Sequence, residues 1–387
     1  MIILMSRFAT FVLLLSFFTT ITRADAPRPF RPIQSVDPFI STGGNRYVCG
    51  NNPPGATVPF GMVRLSPDTI SASGATATNM SGYYYHDSAI LGFSHTRLCG
   101  TGAVDGGHFR VMPGVSAFLS PDLLRNPQAT LDHSQEAASP GYYAVRFTDI
   151  DVEVELTATR RVGLHRYTFP AGATPRLSID VGSALGRGRS EACELHLLPA
   201  NQEMTGTART FGSFSGRYGG LQVYFVARFR QPWTRVMNWS GKTVAEDQTD
   251  VAGDDVGVGF LFPPAAEKQS IEVAIALSHV SIENARENLD QELGKQSFDD
   301  VRAAAADEWD ELLSTALGEG GTETDREIFY TALYHSMMMP TVFNDVNGEY
   351  LGFDKKVHQT DNFEDYTDMS LWDTFRTTHP LFTLLTP

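Results

Sequence analysis

Cationic side chains are scarce in this chain: 30 Lys and Arg stand against 45 Asp and Glu, a formal net charge of -15. Phosphate backbones need a basic face, so nucleic acid is excluded as a partner. Cysteine is scarcer still. The three residues, Cys49, Cys99 and Cys193, fit no metal-ligand spacing. An odd count excludes a disulfide framework and allows at most one bridge within the chain. Long apolar runs are missing too, apart from one at the N-terminus; no later segment reaches the roughly 20 residues that a membrane-spanning helix needs.

What is present begins with that N-terminal run. Arg7 is its early cation, an apolar stretch follows from about Phe8 to Ile21, and Ala24-Asp25-Ala26 sets small residues two apart. This order predicts a secretory signal peptide over residues 1–26, and a secreted or periplasmic mature protein without a stable membrane span. An uncleaved anchor is the competing reading. Asn79 and Asn238 head Asn-x-Ser sequons, which count only in a source that glycosylates exported proteins.

A length of 387 residues, 42% of them hydrophobic and 19% charged, suits a globular protein of two domains. From about Val36 to about Val280 the pattern is that of strands. In "GYYAVRFTDIDVEVELTATRR", Tyr143, Val145 and Phe147 share one face, and Val152, Val154 and Leu156 share another after a break at Thr148-Asp149. "LQVYFVARFR" and "SIEVAIALSHV" behave alike. Many short strands between Gly- and Pro-rich turns predict a large antiparallel sandwich over residues 27–280.

The period then changes. "SFDDVRAAAADEWDELL" sets Phe298, Val301, Ala305, Trp309 and Leu312 at steps of three and four, with Ser297 as N-cap, in a helical linker over residues 281–321. "GEGG" (318–321) breaks the chain. Thr324 and Glu327 have capping-box spacing for a helix limited by Pro340. The remaining stretch, 322–387, has room for two or three helices, too few to cover a Met337–Met339 face and the apolar Leu381–Leu385 run. The expectation is a helical domain that opens and is cut short, with both apolar surfaces exposed.

Four clusters carry chemistry-bearing residues. "DPFISTGGNRYVCGNNPPGATVPFGMVRLSPDT" (37–69) is rich in glycine, but no strand–GxxxxGK[ST]–helix pattern surrounds it, so it reads as an ordered loop lining a cleft or interface. "GYYYHDSAILGFSHTRLCGTG" (82–102) contains His86, Asp87 and His95, which either serve a site or sit in a strand pair. Asp345, Asn347 and Glu349 alternate like oxygen ligands, yet an EF-hand series is longer, and a turn at Asn347-Gly348 is preferred. Asp361, Glu364, Asp365, Asp368 and Asp373 crowd one segment as a solvated loop or as paired acids of glycoside chemistry. Within it, Trp372, Asp373 and Arg376 combine a stacking face, a hydroxyl acceptor and a carboxylate partner, or else a packed tryptophan beside a helix cap.

These stretches, in this order, resemble glycoside hydrolase family 92, the exo-acting α-mannosidases. The matching segments include "VDPFISTGG", "PGATVPFGMVRLSPDT", "GFSHTRLCGTG", "ALYHSMMMPTVFNDVNGEYLG" and "SLWDTFRTTHPLFTLLTP". Ser41 replaces a common glycine, and Arg97 and Cys99 stand where His and Ser are frequent. The resemblance implies a mainly β fold: a large antiparallel supersandwich, a helical linker, and the first helices of an (α/α)6 barrel over 322–387. It implies inverting, calcium-dependent release of terminal α-linked mannose, with α-1,2 linkages favoured, from mannose-containing glycans. General acid, general base and most Ca2+ ligands are expected beyond residue 387, so no catalytic or metal residue is assigned in this chain. Substrate binding is assigned to Trp372, Asp373 and Arg376, and the sandwich side of the pocket to the loop with Gly43, Gly44, Pro54, Gly55 and Phe60.

Two rivals remain. A phosphorylase or hydrolase of another family with the same architecture would be separated by adding phosphate to an assay. A non-catalytic sandwich that binds glycans or a partner would be stable and folded without further chain.

Overall fold

A computed structural model describes residues 30–45, 49–70, 80–115, 124 and 126–386. The expected signal peptide and the Asn79 sequon lie outside the described residues.

Two antiparallel sheets form the sandwich. One has eight strands, in edge-to-edge order Ser66–Ile70, Ala89–Ser94, Arg110–Gly114, Arg176–Asp180, Val256–Leu261, Arg235–Ser240 and Thr243–Glu246, with Ala129–Thr130 also paired to Ala89–Ser94. The other has nine: Asp250–Gly253, Arg189–Leu198, Glu203–Phe211, Leu221–Phe229, Gln269–Ser278, Val162–Phe169, Val152–Ala158, Tyr142–Phe147 and Glu136–Ser139. The alternation read from the sequence is the cause of the layering. Tyr143, Val145, Phe147, Val152, Val154 and Leu156 all enter the core between the sheets. There Phe109 and Phe225, from opposite sheets, approach to 4.2 Å between ring centroids. Asn238, on Arg235–Ser240, is only 1% exposed, so its sequon is closed to a glycosylating enzyme in the folded protein. All three cysteines are buried and free, which leaves the single allowed bridge unformed.

Three helices follow the sandwich. α1 (Ile282–Leu293) starts at Ser281, whose side chain accepts from the Asn284 N–H. It lays Ala285, Leu289 and Leu293 on the outer face of the nine-stranded sheet, against Val162, Leu164, Val226 and Ala276. α2 (Phe298–Leu313) has the expected Ser297 cap, closed as a box by Asp300. Its buried stripe is Phe298, Val301, Ala305, Trp309 and Leu313. Leu313 takes the place given to Leu312, because steps of four track the 3.6-residue turn better there.

α3 (Glu323–Ser336) is capped by Thr322 and Asp325, not by Thr324 and Glu327. Both pairs have the required spacing. The earlier pair wins because Gly321, at φ +68°, turns the chain into the helix immediately before it.

The expectation of an exposed methionine face is also corrected. Met337 and Met338 are buried with Trp309, Leu313, Tyr330 and Tyr334, and Cys99 from the sandwich closes the same cluster. Two small ladders follow, Thr341–Val342 with Tyr366–Thr367 and Glu349–Leu351 with Val357–Gln359. The tail forms α4 (Leu371–Thr374) and α5 (Thr378–Leu385). Leu381, Phe382 and Leu385 pack partly onto the methionine cluster, whereas Leu384 stays 78% exposed. Among the described residues no helix is long and apolar enough to cross a membrane.

Candidate functional site

Where the sandwich meets the end of α3 and the tail, a cavity of about 130 Å³ opens. The sandwich supplies Cys99, Gly100 and Thr101; α3 supplies His335 and Ser336; the tail supplies Asp368, Ser370, Asp373, Thr374 and His379. Phe382 and Met339 complete its apolar side.

A buried arginine fixes this junction. Arg64, 2% exposed, donates from Nε and one Nη to the Met338 carbonyl at 3.0 and 2.7 Å, and from its other Nη to the Arg97 carbonyl at 3.2 Å. It also donates to Thr341 Oγ1 at 2.6 Å. Thr341 Oγ1 in turn donates to Asp368 Oδ2 at 2.6 Å. Arg97, the departure from a frequent histidine, is a second buried hub. It bonds the Ser66, Ser81 and Ser94 carbonyls and pairs with Asp68 at 3.3 Å. Arg97 thus ties the sandwich loops to one another and Arg64 ties them to the segment after α3, tasks suited to a planar fork of five donors.

Two carboxylates, Asp368 and Asp373, line the cavity. Burial pushes the His335 imidazole down to about 4, so it is neutral near pH 7, and its Nε2 is buried without a hydrogen-bond partner among the described residues. Burial raises the Cys99 thiol above its ordinary range, which keeps it protonated and a poor nucleophile. His379 Nε2 lies 2.9 Å from Thr374 Oγ1.

The expected binding residues divide into two groups. Asp373 lines the cavity. Beside it Trp372 is 88% exposed, and Arg376 lies over the Phe375 ring at 5.3 Å. Trp372 and Arg376 flank Asp373 in the chain as an exposed rim outside the cavity lining. Phe60 lies behind the cavity wall, edge-on to Phe382 at 5.6 Å and to Tyr366 at 6.1 Å, with its N–H on the Met337 carbonyl. Two of the three glycines, Gly43 and Gly55, are close-packing positions. A Cβ on Gly43 would meet Tyr85 Cβ at 2.9 Å, and one on Gly55 would meet Ser66 Cβ at 2.3 Å. Gly44, at φ +111°, accepts from the Tyr84 hydroxyl. Of the remaining candidates, Asp87 accepts from Thr69 Oγ1 and His95 is in the core. Asp361 and Glu364 border a separate, open groove of about 540 Å³, and Glu364 pairs with Arg160 at 2.6 Å.

The described carboxylates of the 345–349 segment do not fit calcium. Asp345 is buried, with one oxygen taken by Asn288 at 2.7 Å and the other by Ser278 at 2.6 Å and Asn284 at 2.9 Å. Glu349 accepts from the same Asn284. The segment is a turn, as preferred from Asn347-Gly348, with the Gly348 N–H on the Asp345 carbonyl. Among the described residues no three His, Cys, Asp or Glu side chains converge as a metal site.

Sequence reasoning did not single out Arg64, Thr341 or His335. The one local signal was a lone arginine inside the apolar "GMVRL" stretch, where an unpaired charge is costly and demands partners.

Residues 35–278 match the glycosyl hydrolase family 92 N-terminal domain, and residues 284–387 match the glycosyl hydrolase family 92 catalytic domain. The fold is similar to that of the family GH92 α-mannosidase BT3965 from Bacteroides thetaiotaomicron, with 32% identity and a TM-score of 0.82 over 91% of this chain and 47% of that one. BT3965 has also been solved with mannoimidazole. The family GH92 inverting mannosidase BT2199 from Bacteroides thetaiotaomicron VPI-5482 is similar at 26% identity and TM-score 0.78, covering 92% of this chain and 46% of that one. No curated protein matches. The chain belongs to glycosyl hydrolase family 92. It spans about half the length of the solved relatives.

Proposed function

We propose that this chain supplies the sandwich and the opening of the catalytic domain to an exported α-mannosidase that removes terminal α-linked mannose, α-1,2-linked in preference, from glycans. The collinear match of both family domains carries the reading. Asp373 in the lining of a hydroxyl-rich cavity, with the exposed Trp372 and Arg376 flanking it in the chain, supports it. The tryptophan face would cover the C–H surface of the terminal sugar, the Asp373 carboxylate would accept its hydroxyls, and Arg376 would steer the carboxylate.

Inversion requires an acid on the leaving oxygen and a base on water at the opposite face, with carboxyl groups about 6.5–9.5 Å apart. Neither role is assigned to the described residues. Calcium belongs to the same reading through ligands outside them. The test uses protein made from the complete coding sequence, assayed on α-1,2-mannobiose by time-resolved NMR. Release of β-mannose first, abolished by chelation and restored by calcium, is the expected result. First release of the α-anomer, or no release at all, contradicts it. Intact mass of the exported protein checks loss of residues 1–26.

A further inference from the structure

Asp368 has an unusual posture for a loop aspartate. Its backbone is left-handed at φ +63°, a region that costs non-glycine residues energy and is occupied where the surroundings enforce it. The enforcing contact is the bond from Thr341 Oγ1 to its Oδ2, with the buried Arg64 behind Thr341 and 4.0 Å from the same oxygen. Oδ1 has no hydrogen-bond partner among the described residues. One oxygen is anchored and one is free, on a residue that lines the cavity beside Asp373.

The surrounding chemistry narrows what the free oxygen takes. The donors of Arg64 are directed to the Met338 and Arg97 carbonyls and to Thr341, so Arg64 offers no donor to an anionic ligand in the cavity, where the carboxylates of Asp368 and Asp373 would repel one. Too few acidic or imidazole ligands converge for a metal among the described residues. His335, whose Nε2 is buried and unpartnered among the described residues, also lines this space. Unsatisfied polar atoms around a small cavity call for a neutral ligand with hydroxyl groups. A space of about 130 Å³ accepts the polar edge of one sugar ring.

We infer that Asp368 is a specificity-determining residue that accepts a hydroxyl of the terminal sugar through Oδ1, at a position distinct from the hydroxyls met by Asp373. Thr341 and Arg64 are positioning residues that aim it. This rests on the mannosidase reading above.

The test is Asp368→Asn in protein made from the complete coding sequence. Asparagine tolerates the left-handed backbone and still accepts from Thr341, but it replaces the free acceptor with an NH2 donor. On nitrophenyl α-mannoside, KM should rise roughly 10- to 100-fold with the melting temperature unchanged, the scale of losing a hydrogen bond to a charged group. On the one monodeoxy mannoside that lacks the contacted hydroxyl, D368N and the parent should be alike. Thr341→Val should raise KM by a smaller factor, roughly 2- to 10-fold, and it stands in should D368N fold poorly. An unchanged KM in D368N, or an equal penalty on every monodeoxy substrate, overturns the inference and leaves the mannosidase reading intact. A parent protein that cleaves no α-mannoside removes that reading, and this inference with it.

Discussion

His95 and His165 meet Nε2 to Nε2 at 2.9 Å in the seam between the two sheets. Their outer nitrogens fix the tautomers. His95 Nδ1 faces the Phe109 carbonyl at 3.0 Å and must donate, so its Nε2 accepts from His165. His165 Nδ1 then accepts from the Tyr167 hydroxyl at 2.8 Å. The chain of bonds is complete only while both rings are neutral, and burial pushes His95 down to about 4 and His165 well below its ordinary value.

Acid should therefore unfold this protein early. Both histidines have folded pKa values below the unfolded value near 6.5, so the unfolded chain binds protons first as pH falls. Stability is complete above about pH 6.5 and is lost as pH drops toward 4, at about 1.4 kcal/mol per pH unit for each histidine. Urea unfolding at pH 7, 6 and 5 checks the slope, and His95→Gln should make it shallower. A midpoint that stays flat across the window would refute the account.

Ser41 holds a left-handed backbone at φ +67°. Glycine holds such a backbone without strain, which predicts that Ser41→Gly stabilises the protein. Relief of the Cβ clash, offset by the greater freedom of an unfolded glycine, leaves roughly 0.5–1 kcal/mol. A melting temperature lower than that of the parent would show that the serine hydroxyl matters more than the backbone.

Asp345 ties three parts together: the last sandwich strand through Ser278, α1 through Asn284 and Asn288, and the segment after α3 in which it lies. Burial raises its pKa. Asp345→Ala would strand three donors and should cost roughly 2–4 kcal/mol. Asp345→Asn, which can still accept at one atom, should cost less. Denaturation midpoints decide it; equal and small losses would mean that water replaces the carboxylate.

The contrast between Tyr143 and Asp368 shows what was legible in the sequence. Tyr143, Val145 and Phe147 declare their face through neighbours two residues away, and strand period is local. Ser297 and Asp300 are likewise legible, since a cap and its box close within one turn. Asp368 gains its meaning from Thr341 and Arg64, which are distant in the chain and adjacent only after the sandwich and the tail have packed. Gly43 and Gly55 are illegible for the same reason: the close approach of Tyr85 and Ser66, which leaves no room for a Cβ, exists only in the folded chain.

Trp372 and Asp373 offer the sharpest separation of binding from stability. Trp372 is 88% exposed and adds little to the core, so Trp372→Ala should leave the melting temperature where it was. Its ring is nonetheless the flat apolar surface beside Asp373, and losing it should weaken binding of an α-mannoside roughly 3- to 10-fold. Asp373 has an exposed carboxylate at the cavity, and Asp373→Asn should raise KM roughly 10- to 100-fold, again without unfolding. The readouts are KM from initial rates and thermal melts on protein made from the complete coding sequence. Packing residues would behave in the opposite way: Trp309, fully buried with its indole N–H on the Thr57 carbonyl, should lose roughly 3–5 kcal/mol as alanine. Should Trp372→Ala lower the melting temperature as Trp309→Ala does while leaving KM alone, the rim is a packing surface and the sugar binds elsewhere.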